Sequence, residues 1–239
     1  MKKLYYLLLF CPLSLFAQDV DMDRKIRFGL LLFPEMTSVQ FNGPANIQQR
    51  ANTRVGLSLG GQVQVLLGKG VSARMTLLKG ERQYEVIESG TNLSPNDVPI
   101  TRFQTTRDIS IESFDFQLAL GYEFGNKKSL WSVHAGIAYH IYENAQVSHH
   151  SVATGPMIYV EEMDSQSIAL QDNGNLSGVF SLSYARFLGA HFAAFVEPSI
   201  YVNLQEVQID TMQGYRFMGG GLAFGIRYFV GATAQRSRN

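Results

Sequence analysis

Two adjacent histidines, His149 and His150, stand in a polar stretch of the chain, and Ser151 follows them directly. Three carboxylates come a short way further on, and these are Glu161, Glu162 and Asp164. Histidine, serine and carboxylate side chains perform nucleophilic catalysis when they lie within hydrogen-bonding reach of one another. No motif spacing links these residues, so the sequence favours a solvated external loop. A catalytic site stays open as the alternative.

Two further histidines, His134 and His140, have the same parity in one predicted strand. Their spacing corresponds to about 20 Å of extended chain, which is too far for both to bind one metal ion. We therefore interpret them as interior residues, and we predict no metal and no cofactor.

Six charged side chains have the parity of the polar face of the predicted strands. They are Arg27, Arg74, Asp115, Glu123, Glu197 and Arg227. Because an unpaired charge in an enclosed interior is heavily penalised, we expect these groups to pair with one another. The sequence thus predicts a structural ionic plug without an open pore. A gate or a proton path is the alternative for the same residues.

Composition argues against several other classes of protein. The 239 residues contain 20 basic and 20 acidic side chains, and no run of either sign occurs. Neither a basic stripe for nucleic acid nor an acidic tail is present. The glycines 219–221 lie in a predicted strand and lack the helix and lysine of a phosphate-binding loop.

The N-terminus reads MKKLYYLLLFCPLSLFAQ, with two lysines ahead of an apolar stretch. This pattern predicts a cleaved secretory signal peptide, because about 13 apolar residues are fewer than the ~20 of a membrane-spanning helix. The predicted organisation is a signal peptide over residues 1–17, a barrel over 18–230 and a short tail over 231–239. The single cysteine, Cys11, falls in the signal, so we expect an exported chain without disulfides.

Alternation of apolar and polar residues predicts eight strands bounded by turn residues. They run over Arg24–Gln40, Arg54–Leu67, Val71–Val86, Ile109–Phe124, Leu130–Val147, Leu176–Phe187, His191–Val207 and Tyr215–Val230. Three connections are tight turns, for example Gly68-Lys69-Gly70, whereas those that begin at Asn42, Ile87 and Ser148 are long and polar. Short turns at one end and longer loops at the other are typical of outer-membrane barrels.

The placement of charge indicates which face meets lipid. The apolar parity comprises about 45 positions without a single charged residue, and a Lys or Arg at mid-bilayer costs roughly 2–4 kcal/mol. The opposite parity is rich in Gly, Ser and Ala, as the filled interior of a narrow barrel requires. Seven aromatic residues of the apolar parity lie near the tight turns and predict an interfacial girdle: Phe28, Tyr122, Phe124, Trp131, Tyr184, Phe192 and Tyr228. Pro198 interrupts the seventh predicted strand, where we expect a bulge.

These segments resemble the outer membrane protein β-barrel domain family of Bacteroidota, the small PorT-like and OmpA-like eight-stranded barrels. The stretches that carry the resemblance are VSARMTLLKGERQYE, FDFQLALGYEFGNKKSLWSVHAGIAYHIY, FVEPSIYVNL and GGGLAFGIRYFV. The resemblance implies export, contact with outer-membrane lipid and insertion by the barrel assembly machinery, but no shared ligand. The last strand lacks the terminal aromatic residue that such barrels carry.

The expected fold is therefore all-β, an eight-stranded antiparallel up-and-down transmembrane barrel with short periplasmic turns and longer external loops. The expected role is non-catalytic: an anchor, or a surface that presents its loops to a cell-surface or periplasmic protein. A small channel is the second hypothesis and a lipid A-modifying enzyme is the third.

Overall fold

Ten antiparallel strands make up the regular structure of the described chain. The computed structural model describes residues 25–41, 48–92, 101–126, 128–155, 158–168, 174–205 and 215–230. The strands are β1 (Ile26–Phe41), β2 (Gln48–Thr53), β3 (Val55–Gly68), β4 (Val71–Asn92), β5 (Thr101–Gly125), β6 (Ser129–Gly155), β7 (Ile158–Ile168), β8 (Gly174–Phe187), β9 (Phe192–Asn203) and β10 (Tyr215–Val230). The predicted signal peptide and tail lie outside these residues. In the described part of the chain, no helix is long and apolar enough to cross a membrane.

Eight of the strands close into a barrel. Their order around the ring is β1, β3, β4, β5, β6, β8, β9, β10 and back to β1, and every neighbouring pair is antiparallel. Strand β1 closes the ring, because Ile26 lies opposite both Val65 of β3 and Val230 of β10. The eight-stranded barrel predicted from the sequence is confirmed.

The exterior of the barrel is apolar and its interior is polar. Leu30, Leu59 and Leu120 point outwards and are more than 60% exposed, whereas Arg227 and Glu123 point inwards and are at most 1% exposed. On β4, β5 and β6 the outward apolar rows end at the charged residues Lys79, Glu112 and Glu143. We call the outward apolar surface between these charges and the short turns the apolar belt.

Glycines in the barrel wall make room for large interior side chains. A Cβ atom on Gly219 would stand 2.2 Å from the Tyr201 hydroxyl oxygen, and one on Gly221 would stand 2.5 Å from the Phe33 ring. The interior is therefore too crowded for a side chain at these two positions.

The long connections differ from the prediction, because much of their length is strand. Strands β4, β5 and β6 continue well beyond the apolar belt, and β2 and β7 pair with β4 and β6 in segments that were expected to be loops. We call this five-stranded sheet beyond the belt the external extension. It escaped prediction because both faces of the sheet contact water beyond the bilayer. The alternation of apolar and polar residues that lipid imposes on the barrel wall therefore weakens there.

Strand β9 also differs from the prediction, because Pro198 causes no bulge. The register against β10 is unbroken through Leu222↔Pro198. The register against β8 is the same before and after the proline, although the ladder is interrupted between Ser181↔Ser199 and Tyr184↔Val196. The missing N–H of proline thus removes local pairing but inserts no extra residue.

Candidate functional site: the charged lumen

The first cluster of interior charges lies near the short turns and joins β1 to β5. Arg27 Nη1 donates to both carboxylate oxygens of Glu123 at 2.7 Å. Gln64 Nε2, from β3, donates to Glu123 Oε1 at 2.6 Å. The Arg27 guanidinium also stacks on the Phe229 ring, 4.9 Å from its centroid. We call this group the lower cluster.

The middle cluster centres on Glu197 of β9, which accepts from two arginines. Arg74 Nη1 lies 2.6 Å from Glu197 Oε1, and Arg227 Nη2 lies 2.9 Å from Oε2. Each arginine has a serine as a second partner: Arg74 donates to Ser181 at 3.1 Å and Arg227 to Ser183 at 2.9 Å. One carboxylate thus ties together β4, β9 and β10, and the serines add β8.

The upper cluster centres on Arg82 of β4, on the side of the external extension. Its Nη2 lies 2.6 Å from Asp115 Oδ2, and its Nε lies 3.6 Å from Glu35 Oε2. The Arg82 guanidinium also lies over the Tyr201 ring, 5.1 Å from its centroid. Ser58 donates to Glu35 at 3.0 Å, so β1, β3, β4 and β5 meet at this level.

The three clusters fill the lumen with balanced charge. The buried members are four arginines and four carboxylates, namely Arg27, Arg74, Arg82, Arg227, Glu35, Asp115, Glu123 and Glu197. Beside the middle cluster lies a cavity of about 20 Å³, which has room for a single water molecule. The charges of the three clusters are thus paired at three levels along the barrel interior.

One chain of contacts in the interior has the acid–histidine–serine arrangement of a nucleophilic triad, and it consists of Asp115, His140 and Ser177. His140 Nδ1 lies 2.8 Å from Asp115 Oδ1, and Nε2 lies 2.8 Å from Ser177 Oγ. The serine side chain is fully buried, so no carbonyl group could approach its oxygen in this conformation. The contact therefore links β5, β6 and β8, and we assign it a structural role.

All six charged residues that the sequence singled out lie in the lumen, each within 3 Å of an opposite charge. His134 and His140 are buried there as well. Sequence analysis missed two members of the upper cluster, Arg82 and Glu35. The alternation of the strands could have identified both residues. Arg82 lies an even number of residues from Arg74 on β4, and Glu35 lies an even number of residues from Arg27 on β1.

The register brings part of the histidine, serine and acid set of the predicted loop to one face of the sheet. His149 and Ser151 of β6 share that face with the residues opposite them in β7, Asp164 and Glu162. His150 lies on the other face, opposite Met163. The hydroxyl of Ser151 lies 3.1 Å from that of Thr105, and no hydrogen bond joins it to His149. The expectation of a loop is wrong for these residues, because they belong to β6 and β7. Within the described residues, no group of three His, Cys, Asp or Glu side chains could hold a metal ion.

A second, exposed charge network lies on the outer face of the external extension. Arg54 Nη2 lies 2.9 Å from Glu85 Oε2 and 2.7 Å from Asp108 Oδ1. Asn52 Nδ2 donates to the other oxygen of Glu85 at 2.6 Å. The hydrogen bonds from Arg54 and Asn52 lower the pKa of the Glu85 carboxyl below its ordinary value.

This network supports a small pH-dependent prediction. A double-mutant cycle of Arg54→Gln and Glu85→Gln, read from urea unfolding, should give a coupling of about 0.2–1 kcal/mol at pH 7. Since the pKa of Glu85 is lowered in the folded state, the coupling is complete above its ordinary pKa. It should vanish as the pH falls through the lowered value. Equal coupling at pH 7 and pH 2 would contradict this assignment.

The fold and the lumen together define a class: a closed eight-stranded antiparallel barrel of the outer-membrane type, with an apolar exterior and an interior filled by paired charges.

Comparisons with known proteins add three similarities. The chain is similar to the outer membrane protein OprG from Pseudomonas aeruginosa, with 13% identity over 88% of this chain and 99% of that one and a TM-score of 0.44. It is also similar to Neisserial surface protein A, with 8% identity, 85% and 96% coverage and a TM-score of 0.42. A third similarity is to Ail, the attachment invasion locus protein of Yersinia pestis, with 9% identity, 85% and 99% coverage and a TM-score of 0.36. No protein-family model and no curated protein sequence matches the chain.

Proposed function

We propose that this protein is a non-catalytic, closed barrel of the bacterial outer membrane that anchors the external extension at the cell surface and presents it to a protein partner. Membership of the Bacteroidota outer-membrane barrel family, export through a cleaved signal peptide and insertion by the barrel assembly machinery are parts of the same proposal. The apolar belt supports the membrane location, because only lipid solvates such an exterior without penalty.

The main support for a role in presenting a surface to a protein partner is the external extension. From Glu143 to the end of β6 at Gly155 the strand continues for roughly 40 Å of extended chain beyond the apolar belt. Charged and polar residues cover its outer face, including Arg54, Glu85 and Glu112. A barrel that served only to span the membrane would not need this structure.

The filled lumen argues against the channel hypothesis. Ions would have to displace arginine–carboxylate pairs at three levels, and the cavity beside Glu197 holds about one water molecule. We expect no single-channel current when the refolded protein is inserted into planar lipid bilayers. Discrete, reproducible current steps would make the channel the better hypothesis.

Site-specific photo-crosslinking in intact cells tests the presenting role. Crosslinking residues are placed at Glu112 and Asn144, which are exposed on the extension, and at Gly189 in a short turn as the matched control. We expect one defined protein adduct from both extension positions and none of the same mass from Gly189. Mass spectrometry of the adduct then identifies the partner.

A shortened variant separates the extension from the barrel. The register allows Glu85 to be joined to Asp108, and Ala145 to Ile168, each through a two-residue turn. This variant should keep the heat-modifiable gel mobility of a folded barrel and lose the adduct formed from Glu112. An adduct that survives the truncation, or that forms only from Gly189, would contradict the proposal.

A further inference from the structure

Exposed cations surround the end of the barrel that carries the short turns. They are Lys25 before β1, Lys69 between β3 and β4, Lys128 between β5 and β6, and Arg186 at the end of β8. Because these positions are distributed along the ring from β1 to β8, they encircle most of the barrel. We call these four residues the basic rim.

The basic rim has no counter-charge in the described part of the chain. Among the described residues, the carboxylate at this level is that of Glu123, which is fully buried and bound to Arg27. On the side of the extension, Lys79 lies 3.2 Å from Glu143 and Arg54 lies between Glu85 and Asp108. Two further exposed arginines there, Arg50 and Arg102, have no ion pair among the described residues. In the described part of the chain, the end with the short turns thus carries exposed cations with no exposed carboxylate beside them.

The aromatic girdle fixes the height of the basic rim. Trp131 and Tyr184 lie opposite each other on the exterior, with ring centroids 4.7 Å apart. Aromatic rings of this kind mark the membrane interface. Arg186, opposite Ser129, is the next outward residue of β8 towards the turn, about 7 Å further along the strand. That step places the guanidinium in the headgroup layer, outside the hydrocarbon core.

Lys69 occupies a backbone conformation that is unusual for its residue type. Its φ is +48°, between Gly68 at +136° and Gly70 at +82°. Asn or Gly adopts this left-handed region at lower cost. The turn therefore carries a cation at its tip although the local backbone favours another residue.

We infer that the basic rim binds the phosphate groups of anionic phospholipids in the periplasmic leaflet, an inference that rests on the outer-membrane location proposed above. Each lysine or arginine near an anionic membrane surface adds to the affinity of the protein for that surface. Lipid surrounds a barrel on all sides, so a ring of cations is the arrangement that contacts lipid headgroups around the whole barrel. A cell-wall polymer would approach from the periplasm and favour a patch across the end of the barrel.

Lipid competition tests this inference on the full-length refolded protein. The protein is inserted into vesicles of equal parts phosphatidylglycerol and phosphatidylethanolamine, extracted with its bound lipid, and analysed by native mass spectrometry. The wild type should retain phosphatidylglycerol preferentially. The triple variant Lys69→Gln, Lys128→Gln, Arg186→Gln should lower the ratio of phosphatidylglycerol to phosphatidylethanolamine by roughly five-fold or more.

Three controls make the result decisive. Lys79→Gln removes a cation at the other end of the belt and should leave the ratio unchanged. Lys69→Asn should lower the ratio although it eases the turn, and 0.5 M salt should weaken the wild-type preference.

An unchanged ratio in the triple variant, or an equal loss with Lys79→Gln, would overturn the inference. So would a triple variant that loses only its binding to sedimented peptidoglycan. Flotation of each variant with the vesicles reports membrane insertion separately, so failure of the proposed location would be recognised.

Discussion

Replacing Glu197 with glutamine is expected to lower the free energy of unfolding of the barrel by about 3–5 kcal/mol. The substitution preserves the shape of the side chain but removes the one carboxylate shared by Arg74 and Arg227. Two buried guanidinium groups would then stand close together without a counter-charge. Urea titration in lipid vesicles measures the loss, with the fluorescence of Trp131, the single tryptophan of the chain, as the probe.

Two further variants separate charge pairing from other effects of this substitution. Glu143→Gln removes an exposed carboxylate that contacts Lys79 at 3.2 Å, and should cost less than about 1 kcal/mol. Adding Arg227→Met to Glu197→Gln removes one of the two uncompensated charges and should recover part of the stability. A loss below about 1 kcal/mol for Glu197→Gln alone would show that water already screens the middle cluster, and the plug would then be open.

The sequence contains enough information to find the barrel wall but not the partners inside it. Alternation in β3 or β6 is strong because hydrocarbon lies on one side and a packed interior on the other. Parity therefore placed Glu197 and Arg227 in the lumen. Which arginine meets which carboxylate depends on strand tilt and stagger, and these are properties of the closed ring rather than of any one strand.

One of the two residues missed by sequence analysis, Arg82, lies where two environments meet. Arg82 follows Lys79 and Glu81, which face outwards just above the apolar belt, so both faces of β4 are polar there and only the parity shared with Arg74 marks Arg82 as an interior residue. The external extension escaped prediction for the same reason, since its pairings depend on backbone hydrogen bonds to strands that the barrel has already placed. The bulge predicted at Pro198 is absent, because a closed barrel wall tolerates the loss of local pairing without a change of register.

Replacing Ile137 with lysine is the most direct test of the inside-out arrangement. Ile137 is 49% exposed and lies halfway along the outward row of β6 from Trp131 to Ile141. If hydrocarbon covers this row, an ammonium group at its midpoint should lower the free energy of unfolding in vesicles by about 2–4 kcal/mol. In a water-soluble barrel the same exposed substitution should be close to neutral.

A matched lysine at the edge of the apolar belt separates the effect of depth in the bilayer from the effect of introducing a polar side chain. Ile141 is 39% exposed and stands two residues below the charged residue Glu143. Ile141→Lys should cost only about 0–1 kcal/mol, because a lysine there reaches the headgroup layer. The difference between the two variants, measured in one vesicle composition, reports the depth of each site directly. Equal costs at Ile137 and Ile141, or no cost at either, would mean that lipid does not solvate this face, and the membrane barrel would have to be abandoned.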